Sequence, residues 1–91
     1  GIVAVAGRRR RQRGEFAVAA LAVHLLNHED TPAQETESEL GHLQAHLRWE
    51  PAWADRIVRR SVDQGLVRIK ERHLHLTPAG RNLAEATLEN R

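Results

Sequence analysis

Residues 51–80 read PAWADRIVRRSVDQGLVRIKERHLHLTPAG, and this stretch decides the fold. Pro51 suits the first turn of a helix, where the missing N–H of proline leaves no hydrogen bond unmade. Gly65 suits the left-handed residue that ends a helix. The apolar residues between them recur at helical spacing. These signals predict a helix from Pro51 to about Gln64.

Two short alternating segments follow this helix. Leu66–Lys70 alternates apolar and basic residues, and His73–Thr77 alternates again, as half-buried strands do. The two residues between the segments predict a tight hairpin turn, although neither is the glycine or asparagine that such turns prefer. Thr77 and Pro78 then begin a final helix, with threonine as its cap and proline in its first turn.

The chain before this stretch predicts two more helices. The first spans about Glu15–Asn27. Thr36 and Glu39 have the spacing of a capping box, which indicates that a second helix spans about Glu37–Leu47. The predicted class is therefore mainly α with a small β-hairpin, in the order of a winged helix-turn-helix: three helices, a two-stranded wing and a fourth helix. The apolar residues near helical spacing in the first helix are Phe16, Val18, Leu21, Ala22, Leu25 and Leu26.

The composition fits one small domain. The chain has 91 residues, enough for one domain and not two, and no Cys, which excludes thiolate metal sites and fits a reducing compartment. Its aromatic residues are Phe16, Trp49 and Trp53, too few for a base-stacking RNA-binding surface. It has no glycine-rich phosphate loop and no plausible Ser–His–Asp arrangement, so we expect no enzymatic activity.

The N-terminal residues 1–14, GIVAVAGRRRRQRG, differ in character from the rest. An apolar stretch that ends in arginines is typical of the cytoplasmic end of a membrane helix, although six apolar residues cannot span a bilayer, which needs roughly 20. Three interpretations are open: a solvated tail, the stub of a transmembrane helix, and a basic arm that contacts phosphates or anionic lipid. We expect an apolar stub and juxtamembrane or arm segment at 1–14 and a winged-helix domain at 15–91. The membrane-proximal basic residues are Arg8, Arg9, Arg10, Arg11 and Arg13.

Two short motifs carry a family resemblance. GLV at 65–67 enters the first wing strand, and LTPAG at 76–80 leaves the second. Both resemble the corresponding motifs of winged-helix bacterial regulators of the MarR-like and the diphtheria-toxin-repressor-like (iron- and manganese-dependent) families. The resemblance is closer to the second family and covers about residues 15–91. Some manganese, zinc or iron ABC transporter permeases look like a membrane domain joined through an arginine-rich stretch to such a winged helix. Residues 1–15 are similar to that junction.

This resemblance implies a DNA-binding or regulatory domain of the metal-dependent repressor type, as the cytoplasmic tail of a divalent-metal permease. Two alternatives stay open: the DNA-binding domain of a free-standing MarR-like or metal-dependent regulator, and a winged helix that binds proteins and not DNA. The expected partners are double-stranded DNA, the membrane through the N-terminus, and a second copy of the chain or transporter subunits. The expected location is the cytoplasm, or the cytoplasmic side of the inner membrane.

The candidate DNA contacts lie on the helix after Pro51 and on the wing. Arg56 and Arg60 are one turn apart, so both could face a groove, where arginine bonds guanine or phosphate. Asp55 opposes this interpretation because a carboxylate repels phosphate, and a solvated basic face is the alternative. Trp53 either covers the edge of the core or contacts a partner. The candidate residues are Ala52, Trp53, Arg56, Arg59, Arg60, Arg68, Lys70 and Arg72.

Two histidine pairs, His24 with His28 and His42 with His46, have the four-residue spacing that can hold a metal ion on a helix. The resembled repressors sense divalent metal, but their principal site takes ligands from a dimerisation domain that follows the winged helix and uses Cys and Met, which this chain lacks. We therefore predict no cofactor in this chain, with His42 and His46 as the remaining metal candidates. Divalent metal is expected only in the full-length protein.

Overall fold

The computed structural model describes residues 2–29 and 47–89, with the backbone alone for 2–12. The described residues form three helices and one antiparallel hairpin, which confirms the mainly helical class with a small two-stranded element. The helix predicted at Glu37–Leu47 lies outside the described residues except for Leu47, so the winged helix-turn-helix order stays a prediction. In chain order the elements are α1 (Ile2–His28), α2 (Pro51–Asp63), β1 (Val67–Lys70), β2 (His73–Leu76) and α3 (Pro78–Glu89).

The first helix is longer than the sequence predicts. The predicted helix begins at Glu15, whereas α1 begins at Ile2 and continues to His28. The predicted start rests on Gly14 and on the Glu15 carboxylate, which suit the first turn of a helix, and it is wrong because the residues before them continue the same helix. Alanine and arginine are among the best helix formers, and an isolated glycine costs a helix only about 1 kcal/mol. The apolar stub and the arginine run are therefore continuous with the helix that enters the core, while the domain boundary at residue 14 stays a prediction.

The second half of α1 supplies one side of the hydrophobic core. Its buried side chains recur at helical spacing, and Leu21 is fully buried among them. Ile57 of α2 and the hairpin residues Val67 and Leu74 pack on the other side. Phe16, which the sequence places on the same apolar face, is 73 % exposed. The buried residues that α1 contributes to this cluster are Ala17, Val18, Leu21 and Leu25.

The hairpin follows the predicted pattern closely. Val67 pairs with Leu76 and Lys70 with His73, which leaves a two-residue turn at Glu71 and Arg72. Both turn residues adopt left-handed backbone angles, with φ of 53° and 68°. Positive φ at both central residues is the geometry that matches the twist of two paired strands, and here side chains other than glycine or asparagine accept it.

The start of α3 is fixed by the LTPAG motif. The Thr77 hydroxyl accepts a hydrogen bond from the Gly80 amide at 3.1 Å, as an N-cap does, and donates one to the Gly65 carbonyl. The Thr77 amide donates to the Leu66 carbonyl at 3.0 Å. Gly80 lies directly against that carbonyl, where a β-carbon would overlap the oxygen. The motif therefore joins the residues just before β1 to the first turn of α3 through hydrogen bonds.

An ion pair joins the first turn of α3 to the end of α1. Arg81 of α3 donates to the Glu29 carboxylate, which follows the last residue of α1. The Arg81 side chain is part-exposed and the Glu29 side chain is more buried. α3 packs mainly along α1, so this pair closes the end of that contact.

Candidate functional site

The predicted contact residues on α2 fall into two groups. Ala52, Arg56 and Arg59 are exposed, whereas Trp53 and Arg60 are half-buried. The guanidinium group of Arg60 does not project freely into solvent. It lies against α1, at the place where a β-carbon on residue 14 would be. Only part of the predicted DNA-contacting set is therefore presented outward.

A second contact joins α1 to the start of α2. The guanidinium carbon of Arg13 lies 5.2 Å from the centre of the Trp53 ring. This distance is within the range of a cation–π interaction, which contributes roughly 0.5–1 kcal/mol at exposed sites. Trp53 also packs against the hydrophobic core, so it covers the core edge, as one of its two interpretations holds. Arg13 and Trp53 on one side, with Gly14 and Arg60 on the other, fix α2 against the middle of α1.

An open groove lies between α1 and α2, with Trp49 and Glu50 at one end. The three aromatic residues of the chain all line it, and Phe16 among them is largely exposed. One carboxylate, that of Glu50, also lines the groove. The arginines that line it are Arg13, Arg48, Arg56 and Arg60. We call this feature the α1–α2 groove.

The helical period explains why α2 presents these side chains together. Trp53, Arg56 and Arg60 are three and four residues apart, so they lie on one side of the helix. Arg59 lies off this line and does not line the groove. Arg48 precedes α2 in a left-handed conformation, with φ of 57°. Arg56 and Arg60 lie on one side of the helix, as their spacing predicts, and their predicted contact with DNA stays a prediction.

The wing places its predicted basic residues in solvent. Arg68, Lys70 and Arg72 are all exposed. Arg68 and Lys70 share one face of β1 because strand side chains alternate, and His75 and His73 are their cross-strand partners. The hairpin is therefore a solvated basic ribbon, and its predicted contact with DNA stays a prediction.

The histidine pairs give different outcomes. His42 and His46 lie outside the described residues. His24 is buried, and its ring lies 4.9 Å from that of His28, with an angle of 59° between the planes. Within residues 2–29 and 47–89, no three or more His, Asp or Glu side chains come together as a metal site would require.

Sequence reasoning misses several members of the α1–α2 groove. Phe16 is predicted to face the core, and Arg13 is assigned to a separate arm. Arg48 and Trp49 precede the predicted helix, and the sequence predicts no contact for either. All three aromatic residues of the chain line the groove, but their sequence positions alone do not predict that they share it.

Comparison with known proteins gives one curated relative. The chain is 38 % identical over 78 residues to the "Zinc transport system membrane protein TroD" of Treponema pallidum (strain Nichols). The match covers 82 % of this chain and 20 % of that protein, so the chain spans about a fifth of the length of the curated relative it matches. No family model matches the chain. No solved structure matches it either.

This similarity supports the predicted link to membrane components of metal transport systems. It gives no support to the predicted repressor-type DNA binding. Among the described helices, none has the length and hydropathy needed to cross a bilayer.

Proposed function

We propose that the chain is a non-enzymatic regulatory domain on the cytoplasmic side of a divalent-metal transport permease. In this proposal α1 continues from the last membrane helix of the permease. The winged helix of repressor type is then the fold of the tail, and contacts with the membrane or with transporter subunits are its means of regulation.

The observation that carries this proposal is the continuity of α1. Ile2–His28 is a single helix, and its second half is buried in the core of the domain. The arginine run at residues 8–11 lies in the first half of that helix. Arginine collects at the cytoplasmic ends of membrane helices. A helix has no joint at which the two parts could turn freely, so movement of the membrane end would be transmitted to the core.

The similarity to a zinc transport membrane protein supports the same assignment. The matched region includes most of this chain but only a fifth of the relative, as expected for one part of a larger membrane protein. Transport of a divalent metal is accordingly proposed for the whole protein and not for the domain. The described residues contain no cluster that would hold the metal, so the proposal assigns the domain no step in metal transfer.

The orientation of the domain can be tested with one introduced thiol. The chain has no Cys, and Asn82 is exposed on α3, so Asn82→Cys adds a reactive group without removing a contact of the core. In the full-length gene product, we expect a membrane-impermeant maleimide to label this variant in inside-out vesicles and not in right-side-out vesicles. The protein should stay with the membrane after alkaline extraction.

The unsubstituted gene product is the matched control for background labelling. Release of the protein into the soluble fraction by alkaline extraction would overturn the proposed attachment. Labelling from the outer side alone would overturn the proposed orientation.

A further inference from the structure

We propose that the α1–α2 groove binds the headgroup of an anionic phospholipid. The juxtaposition that carries this inference is a set of four guanidinium groups and three aromatic rings in one groove. The inference rests on the proposed function for the nearness of a bilayer, and it adds a ligand and a binding site to that function.

The charge of the groove selects an anion. Among the described residues, four arginines and one carboxylate, that of Glu50, line the groove. In the part of the chain that the structure describes, none of these four guanidinium groups forms an ion pair, whereas Arg81 pairs with Glu29 elsewhere. The fork of N–H donors on a guanidinium group matches the oxygens of a phosphate, which makes arginine suited to phosphodiester recognition.

The aromatic residues of the groove select a lipid among anions. Phe16 is 73 % exposed on α1, beside Trp49 and Trp53. Transfer of an exposed phenylalanine side chain from water into an apolar phase is favourable. Tryptophan concentrates at the membrane–water interface because one part of its ring is apolar and the N–H is polar. A ligand with a charged head and an apolar body satisfies both parts of the groove.

The position of the groove along α1 places it at headgroup depth. Gly14 lies seven residues after Gly7, which is about 10 Å along a helix axis. If the apolar residues before Gly7 enter the bilayer, Arg13 and the start of α2 lie beside its surface. Basic pockets next to membrane helices on the cytoplasmic side are a recurring way to bind anionic headgroups.

Duplex DNA fits the same residues less well. Reading a major groove requires a helix whose contacting side chains project away from the protein. Here Arg13 covers the face of Trp53, and Arg60 lies against Gly14. Trp53 and Arg60 therefore face α1 inside the groove and do not project outward as a recognition helix requires, and the exposed Phe16 has no role in binding a DNA phosphate.

Tryptophan fluorescence offers a direct probe of the groove, because both tryptophans of the chain line it. The 91-residue chain is titrated with vesicles of phosphatidylglycerol and phosphatidylcholine, and separately with phosphatidylcholine alone. We expect a saturable blue shift of the emission with the anionic vesicles and none with the neutral ones.

Two matched charge variants separate the groove from general attraction between charges. Arg56→Gln and Arg59→Gln remove the same charge from exposed positions of α2, but only Arg56 lines the groove. We expect Arg56→Gln to weaken vesicle binding about tenfold or more, since a charge-assisted hydrogen bond to the headgroup phosphate is lost. Arg59→Gln should change binding less than twofold. Phe16→Ala, at a position outside the core, should weaken binding about tenfold by the loss of a phenyl ring from the interface.

Thermal unfolding followed by circular dichroism shows that each variant is folded before it is titrated. An equal loss of binding in Arg56→Gln and Arg59→Gln would overturn the proposal, because the arginine run or net charge would then explain the attraction. Binding of duplex DNA in preference to anionic vesicles would also overturn it. Failure of vesicle binding in a domain that the thiol test places on the cytoplasmic side would refute the lipid site and leave the proposed function standing.

Discussion

Replacing Gly80 with alanine should lower the free energy of unfolding by about 3 kcal/mol or more, at the upper end of the range for overpacking. The added β-carbon would overlap the Leu66 carbonyl oxygen and come within 3.0 Å of Leu76 Cδ2. Backbone cannot rotate away as a flexible side chain can, so α3 would have to move. That movement would also break the hydrogen bonds through which Thr77 holds Gly80 and Gly65.

Urea denaturation of the variant checks this expectation. The sign of the change in the free energy of unfolding is informative. Alanine is the better helix former by about 1 kcal/mol, so helix propensity alone predicts a more stable protein. Gly65→Ala is the control: its φ of 72° is strained for alanine, but nothing lies within 4 Å of the added carbon. It should cost only about 1 to 2 kcal/mol. A Gly80→Ala variant as stable as the parent would contradict the packing described here.

Replacing Leu21 with alanine should cost about 2 to 5 kcal/mol, the range measured for buried leucines that leave a cavity. Leu21 is fully buried and lies at the centre of the face that α1 presents to the core. A small domain has only about 5 to 15 kcal/mol of stability in total, so the variant should be close to unfolding at physiological temperature.

The melting temperature of the Leu21 variant is the measurement. Each kcal/mol corresponds to roughly 4–8 °C for a domain of this size, so the melting temperature should fall by at least about 8 °C. Ile69→Ala is the matched control, because Ile69 is 50 % exposed on the wing and its truncation opens no cavity. Equal effects of the two substitutions would mean that the second half of α1 is not a core element.

Local signals predict the second half of the molecule well. Pro51 and Gly65 bracket α2, which ends at Asp63 with Gln64 as its C-cap. The alternating residues of the wing pair in the expected register, and Thr77 caps α3 as its position before a proline indicates. Each of these features depends on residues within a few positions of one another, which is why the sequence alone is sufficient.

The features that the sequence does not predict depend on distant residues. The arginine run could continue α1 as a helix or form a solvated tail. The charge of the run does not distinguish between these two conformations. Arg60 lies against Gly14, and Phe16 lines the same groove as Trp49, only because α1 packs against α2 at that point. The groove therefore belongs to the tertiary structure, and a correct assignment of every helix would still not reveal it.

One unbroken helix contains both the arginine run and the α1 residues that line the groove. Backbone NMR of the 91-residue chain in aqueous buffer tests it most directly, through the Cα chemical shifts of residues 8–14. We expect helical shifts throughout this segment, continuous with those that follow Glu15. Coil shifts up to residue 14, with a helix that begins only at Glu15, would contradict it.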